Sequence, residues 1–244
     1  SQRGVAYNLV TGNILLVSRT GGNRIYVLDG KTGAELRQLN VDTSVVSGGT
    51  FVVNMIGVAD DGAVYAANLV TDSTAASLSV YRWENDSAAA APAIAFRGDP
   101  SNGDASTTNR RFGDSFDVRG SGANTQILLA SRAGNIVSML TTPDGANFSP
   151  TVIATDAAAG DLGIGVAFGR GNSFWGTAPG RPVRLVDLDL TTGTGVTRHT
   201  LGAAAVPTEV TTMAFNAAAD LLAGITLETP DTLRLYHVAG LPNP

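Results

Sequence analysis

Cysteine is absent from this chain of 244 residues, and lysine nearly so: Lys31 is the only lysine among the 16 basic residues. The lack of cysteine excludes disulfide bonds, thiolate metal sites and a cysteine nucleophile. No run of basic residues occurs, so the electrostatic signature of a nucleic-acid-binding protein is missing, as is a polybasic patch for a membrane surface. The sequence therefore predicts no nucleic-acid partner.

Charge and long apolar runs are also scarce. Only 15% of the residues are charged, whereas about a quarter is usual. No apolar run approaches the roughly 20 residues that a membrane-spanning helix needs, so we expect no membrane insertion. With 43% hydrophobic residues and 29 glycines, the composition favours a compact, sheet-rich fold with many tight turns.

An internal repeat is the strongest positive signal. The segment NILLVSRTG at 13–21 closely matches QILLASRAG at 126–134. Short segments rich in small residues lead each copy of the repeat, and a polar turn and further strand-like segments follow; these leading segments are 4–7, 56–59, 115–118, 165–168 and 212–215. They recur about every 45–60 residues, and the shorter spacings match four-stranded propeller blades.

We therefore predict an all-β fold, a single β-propeller of about five four-stranded blades. The blades are expected at approximately 3–50, 51–110, 111–160, 161–207 and 208–244. The fifth unit ends after its third strand. Two arrangements stay open: a five-bladed ring with a short last blade, or a fragment of a six-bladed ring.

Four stretches resemble an uncharacterised family of secreted bacterial propeller proteins, often found on PEP-CTERM surface-sorted proteins. The stretches are RGVAYN at 3–8, NMIGVADDG at 54–62, FGD at 112–114 with DVRGSG at 117–122, and LETPD at 227–231. The resemblance implies a bacterial source, a secreted or cell-surface location and one further blade after Pro244. It implies no reaction.

Polar residues beside the leading and second strands form the candidate site. Neighbouring strands of a blade run antiparallel, so the start of the first and the end of the second lie on one face. We expect seven side chains to ring one mouth of the channel: Arg3, Asn54, Asp114 and Thr211 before leading strands, and Arg19, Asn68 and Arg132 at the ends of second strands. Arginine suits an anionic or hydroxyl-rich ligand, but such residues also tie blades together through ion pairs.

Metal and cofactor sites are weakly indicated. His199 and His237 have no carboxylate at ligand spacing, so no metal site and no cofactor are predicted. Calcium remains open because Asp60-Asp61-Gly62, Asp29-Gly30, and Asp187 with Asp189 offer oxygen ligands. None has the spacing of a calcium loop, and tight hairpins use the same residues.

Catalytic motifs are also sparse. There is no nucleophile elbow for a serine hydrolase. Asp114 and Asp117 are weak candidates for a catalytic pair of carboxylates, since their odd separation puts them on opposite faces of a regular strand.

The sequence favours a non-catalytic extracellular propeller that acts as a recognition or scaffold module for an unknown extracellular ligand or surface partner. The alternative is a hydrolase or lyase that acts on an extracellular carbohydrate or other polymer at the channel mouth. A third reading is a spacer within a large surface protein. Fold does not separate them, because propellers host many unrelated functions.

Overall fold

A computed structural model describes residues 2–202, 210–227 and 229–240. Within these ranges the chain forms nineteen strands and two short 3₁₀ turns, Thr107–Asn109 and Gly122–Asn124. No helix in the described part of the chain is long and apolar enough to cross a membrane. The prediction of an all-β propeller is confirmed.

The strands fall into five groups. Blade 1 contains β1 (Gln2–Asn8), β2 (Asn13–Ser18), β3 (Arg24–Asp29) and β4 (Glu35–Gln38). Blade 2 contains β5 (Phe51–Val58), β6 (Val64–Leu69), β7 (Leu78–Trp83) and β8 (Ala93–Gly98). Blade 3 contains β9 (Asp117–Arg119), β10 (Gln126–Ala130), β11 (Ile136–Thr141) and β12 (Ser149–Thr155).

Blade 4 contains β13 (Gly165–Phe168), β14 (Ser173–Thr177), β15 (Val183–Asp189) and β16 (Thr194–Leu201). Blade 5 contains β17 (Val210–Asn216), β18 (Leu221–Thr226) and β19 (Thr232–His237). Consecutive strands within each blade pair antiparallel, and a short parallel contact between β12 and β16 joins blades 3 and 4. The exact limits of the blades stay a prediction, and the limit expected between 207 and 208 lies outside the described residues.

The first strands of successive blades pack side by side, in the order β1, β5, β9, β13 and β17. Glycine permits the close approach. A Cβ on Gly4 would lie 2.6 Å from the backbone nitrogen of Ile56, and one on Gly57 would lie 2.5 Å from Cγ2 of Val118. Small residues therefore lead each repeat because the first strands crowd around a common axis.

Four apolar clusters hold neighbouring blades together. Each lies between two sheets and is filled by side chains from both, as in the packing of one sheet on another. Representative buried members are Leu15 and Trp83 between blades 1 and 2, Tyr65 and Leu129 between 2 and 3, Leu128 and Phe174 between 3 and 4, and Trp175 and Met213 between 4 and 5.

Three first strands begin earlier than the sequence predicted. β1, β5 and β17 begin at Gln2, Phe51 and Val210 and not at 4, 56 and 212. Each contains a register shift near its beginning. A bulge of this kind inserts unpaired residues into a strand and lets the pairing continue beyond them.

Candidate functional site

The propeller has two faces with different polar chemistry. We call the start face the one at which each first strand begins and each second strand ends. The turn face is the opposite one, at which the first strand turns into the second. By this topology all seven candidate residues belong to the start face. Arg3, Asn54 and Thr211 lie in the three bulges, which often re-aim side chains.

Two candidate arginines come together at the junction of blades 1 and 2. Arg19 follows β2, whose last residue Ser18 pairs with Gln2, the neighbour of Arg3. The guanidinium carbon of Arg19 lies 3.6 Å from the ring centroid of Phe51. Burial, and then the nearby charge of Arg3, lower the pKa of Arg19. The junction therefore concentrates positive charge beside an aromatic ring.

The two candidate asparagines are buried and bond to the backbone. Asn54 Nδ2 donates to the carbonyl of Gly113 at 2.6 Å, which ties blade 2 to the connection leading into blade 3. Asn68 Oδ1 accepts from the backbone nitrogen of Ser79 at 2.9 Å. The Oδ1 atom of Asn54 is buried and has no partner among the described residues. Both side chains position the start face, and only Asn54 retains an unused acceptor.

Asp114 is neutralised by Arg111, a residue that the sequence did not single out. The Arg111 guanidinium binds the carboxylate through two hydrogen bonds, Nε to Oδ2 at 2.6 Å and Nη2 to Oδ1 at 2.9 Å. This hydrogen-bonded carboxylate raises the pKa of Arg111. The only sequence signal is a separation of three residues in an irregular connection, where no periodicity predicts a contact.

The backbone of Arg132 is held by close contacts, whereas its side chain forms no bond with other described residues. Its nitrogen donates to the carbonyl of Arg111 at 2.9 Å. Gly163 packs so closely that a Cβ there would lie 2.3 Å from the Arg132 carbonyl oxygen. The partly exposed guanidinium has no hydrogen-bond or ion-pair partner among the described residues. Arg132 is therefore the candidate best placed to bind a solute.

Thr211 stands apart from the other candidates. Its hydroxyl donates to the carbonyl of Ile225 at 3.2 Å, within its own blade. The structure thus gathers two groups on the start face: Arg3 with Arg19, and Asn54, Asn68, Asp114 and Arg132 around the connection between blades 2 and 3. It does not bring Thr211 into contact with either.

The turn face shows the contrasting case, in which charged groups join blades. The Asp60 nitrogen donates to the Gly120 carbonyl at 2.8 Å, and the Gly120 nitrogen donates to Asp60 Oδ2 at 3.1 Å. Arg119 Nη1 donates to the Gly171 carbonyl at 2.7 Å. Arg170 forms an ion pair of 2.6 Å with Asp220. Arg3 and Arg132, on the start face, have no carboxylate partner in the described ranges.

Asp117 differs from the other shifted carboxylates because its pKa is raised. Its Oδ2 accepts from the Phe168 nitrogen at 2.7 Å, and its Oδ1 accepts from the Val118 nitrogen at 2.9 Å. Although part of the residue is accessible to solvent, protein surrounds the carboxyl group, and this burial raises its pKa to about 6. Such a carboxyl can hold or release a proton near neutral pH.

The aspartates considered as calcium ligands are already bonded. Asp29 accepts from the backbone nitrogens of Lys31 and Thr32, and Asp189 accepts from those of Thr191 and Thr192. These turn hydrogen bonds lower the pKa of both carboxyls. Asp60 and Asp61 accept from the turn of blade 3, and Asp187 pairs with Arg198.

No group of three or more His, Asp or Glu residues within the described ranges is placed to hold a metal ion. His199 lies in β16 and His237 in β19. Calcium dependence stays a question for experiment.

Comparisons with known proteins agree on the architecture. Residues 11–124 match the model of the major royal jelly protein family. No curated protein matches the chain. A DUF4623 family protein from Bacteroides eggerthii is similar over 99% of this chain and 55% of its own, with 18% identity and a TM-score of 0.69.

Two further solved structures are more distant. A β-propeller domain from Myceliophteria thermophila has 11% identity and a TM-score of 0.55, and the match covers 98% of this chain and 84% of that one. The glutaminyl cyclase of Myxococcus xanthus has 11% identity and a TM-score of 0.50 over 97% and 91%. This chain spans about half the length of the Bacteroides chain, and these likenesses show a β-propeller fold.

Proposed function

We propose that this chain is a non-catalytic recognition or scaffold module that binds an anionic, hydroxyl-rich ligand at the start face. The observation that carries the proposal is Arg132, a partly exposed arginine with a fixed backbone and no ion-pair partner among the described residues. The proposal includes a secreted or cell-surface bacterial location, in line with the resemblance of the four sequence stretches. It includes neither a nucleic-acid partner nor membrane insertion.

The chemistry of the start face favours a carboxylate-bearing ligand. Arginine presents a planar fork of donors that matches a carboxylate or phosphate. Arg3 and Arg19 repel one another, and a bound anion would relieve that repulsion. Because the whole chain carries a net charge of −5, this attraction is local. Binding should therefore weaken as salt is added.

The second candidate is an enzyme, a hydrolase or lyase acting on an extracellular carbohydrate or other polymer. Asp117 is the observation that favours it, because a carboxyl with a pKa of about 6 suits general acid or base catalysis. Asp114 adds little, since Arg111 already binds it.

A thermal-shift screen tests the proposal. Small dicarboxylates, acidic and neutral oligosaccharides, calcium and EDTA are added separately to the folded chain. A ligand that binds only the folded state raises the melting temperature in a saturable way. We expect acidic compounds to do so and neutral ones not. A flat response across the acidic set would contradict ligand recognition and leave the scaffold role.

Two variants locate the site. Arg132→Ala should abolish the shift caused by the acidic ligand. Lys31→Ala removes one exposed positive charge from a turn on the opposite face and should keep the shift. Equal loss in both variants would indicate nonspecific charge attraction. Chemical turnover of the ligand, lost in Asp117→Asn while binding persists, would favour the enzyme.

A further inference from the structure

The two arginine groups of the start face are joined by a continuous series of contacts. Phe51, which lies beneath the guanidinium of Arg19, pairs with Leu69 at the end of β6. A Cβ on Gly113 would lie 2.8 Å from the Cα of Leu69. The surface beside Arg19 therefore runs directly into the connection between blades 2 and 3.

The same connection leads to Arg132. The Arg132 nitrogen donates to the carbonyl of Arg111, which is two residues before Gly113. We call the surface from Arg19 through Phe51 and Gly113 to Arg132 the arginine track.

The two ends of the arginine track are well separated. Arg19 follows the second strand of blade 1 and Arg132 follows that of blade 3, so blade 2 lies between them. Packed sheets lie about 10 Å apart, and two such spacings separate the ends of β2 and β10 by roughly 20 Å. This separation suits a ligand with several anionic groups better than a ligand with one.

Acidic side chains along the arginine track are matched by arginines. Arg111 binds the Asp114 carboxylate through two hydrogen bonds. Asp72, just after β6, lies 3.9 Å from the Nη1 atom of Arg110. These pairs add little repulsion for a bound anion, so the charges of Arg19 and Arg132 dominate at the two ends.

Neutral hydrogen-bonding groups lie on the arginine track beside Phe51. Gly48, Gly49 and Thr50 are exposed, and both glycines have positive φ, 86° and 74°. A Cβ on Gly49 would lie 2.7 Å from the carbonyl oxygen of Leu69, so this segment lies against the end of β6. Because glycine has no side chain, it leaves its backbone open to close approach by a ligand. Sugar hydroxyls suit such groups, whereas the side chains of an acidic peptide offer only carboxylates.

We propose that the arginine track binds an extended acidic polysaccharide, a chain of sugar acids with separate carboxylates at Arg19 and Arg132. This inference rests on the proposed function and adds the class and length of the ligand. Each guanidinium presents a planar fork that matches one carboxylate. Once one carboxylate is bound at Arg132, the chain holds others near Arg19 at a high effective concentration, so affinity rises with chain length.

A length series tests the proposal. Galacturonic acid and its linear oligomers of two, four and six sugars are titrated into the natural chain by isothermal titration calorimetry at low salt. We expect the six-sugar oligomer to bind at least about tenfold more tightly than the single sugar. Equal affinities across the series would overturn the arginine track and leave the Arg132 site standing. If neither the single sugar nor the oligomers bind, the proposed function fails for this ligand class and the inference fails with it.

A matched pair of variants locates the second contact. Arg19→Gln should remove the gain in affinity with length while the single sugar still binds, which also shows that the variant is folded. Lys31→Gln removes an exposed charge from a turn on the opposite face and should keep the gain. A gain retained in Arg19→Gln, or lost equally in Lys31→Gln, would overturn the proposal.

An acidic peptide is the competing ligand. Hexaglutamate carries at least as many carboxylates as the six-sugar oligomer but no hydroxyls. We expect it to bind several-fold more weakly, because it forms no hydroxyl hydrogen bonds with the exposed backbone of Gly48 and Gly49. Equal or tighter binding of hexaglutamate would assign the arginine track to acidic peptides and overturn the polysaccharide.

Discussion

Individual side chains in this propeller divide into those that join blades and those that do not. Asp86, in the connection from β7 to β8, is a joining residue. Its carboxylate accepts from Thr11, Asn13 and Arg37 of blade 1 at 2.6, 2.8 and 2.8 Å. Burial opposes ionisation of Asp86, but these hydrogen bonds outweigh it and lower its pKa.

Replacing Asp86 should therefore weaken the whole fold. We expect Asp86→Asn to lower the free energy of unfolding by about 1–3 kcal/mol, because Thr11, Asn13 and Arg37 lose a charged acceptor in a buried site. Glu84→Gln, in the same connection but exposed, should change it by less than about 0.5 kcal/mol. Urea denaturation measures both, and equal small losses would show that the Asp86 bonds contribute little.

Asp117 gives a pH-dependent prediction. Its pKa is raised in the folded chain, so the unfolded chain releases this proton at lower pH, and stability falls as pH rises from about 4 to about 6. The full difference corresponds to roughly 3 kcal/mol as an upper value. A carboxyl whose pKa is lowered in the folded chain has the opposite effect on stability. Its stabilising contribution is lost as the pH falls below about 4.

Asp117→Asn should flatten that slope. Unfolding free energies measured between pH 4.5 and 6.5 should decline for the natural chain and stay more nearly constant for the variant. An equally steep decline in the variant would assign the slope to another group and would also weaken the case for Asp117 as an acid or base.

At the scale of elements, the first strands show what sequence patterns can and cannot predict. The repeat at 13–21 and 126–134 and the small residues of the leading segments were sufficient to predict blades. The bulges were not predictable, because an unpaired residue such as Asn54 does not change the pattern of small and apolar residues from which the strands were predicted. Strand starts were therefore predicted too late in β1, β5 and β17.

The candidate site was also only partly predictable, because the repeat places residues that recur but not the residues around them. Arg19 and Arg132 occupy equivalent repeat positions, which placed both on the start face. Their surroundings differ because Phe51 pairs at the start of β5, before its bulge, and Arg111 lies in an irregular connection, so no regular period predicts either contact. The pairing of Asp114 with Arg111 was missed on that account.

Close packing of the first strands makes its own prediction. A Cβ on Gly57 would lie 2.5 Å from Cγ2 of Val118 in the next blade. We expect Gly57→Ala to cost about 1–3 kcal/mol of stability, because neighbouring first strands must separate. Gly98→Ala, at the end of the outer strand β8, meets its nearest atom only at 3.4 Å and should be nearly neutral. Thermal melts compare the two, and similar melting temperatures would contradict this packing argument.

For the molecule as a whole, charged side chains join blades on the turn face, whereas Arg3 and Arg132 on the start face have no carboxylate partner in the described ranges. Arg119 Nη1 donates to a carbonyl of blade 4, and its guanidinium lies 4.2 Å from the Phe168 ring centroid. The Arg132 side chain has no such contacts among the described residues. Arg119 therefore has a structural role on the turn face, whereas we propose that the side chain of Arg132 on the start face binds a ligand.

The most direct measurement compares the free energies of unfolding of Arg132→Ala and Arg119→Ala in urea, without ligand. We expect a change of less than about 0.5 kcal/mol for Arg132→Ala and a loss of about 1–3 kcal/mol for Arg119→Ala. If Arg132→Ala is as destabilised as Arg119→Ala, Arg132 joins blades and the start face does not offer the proposed binding site.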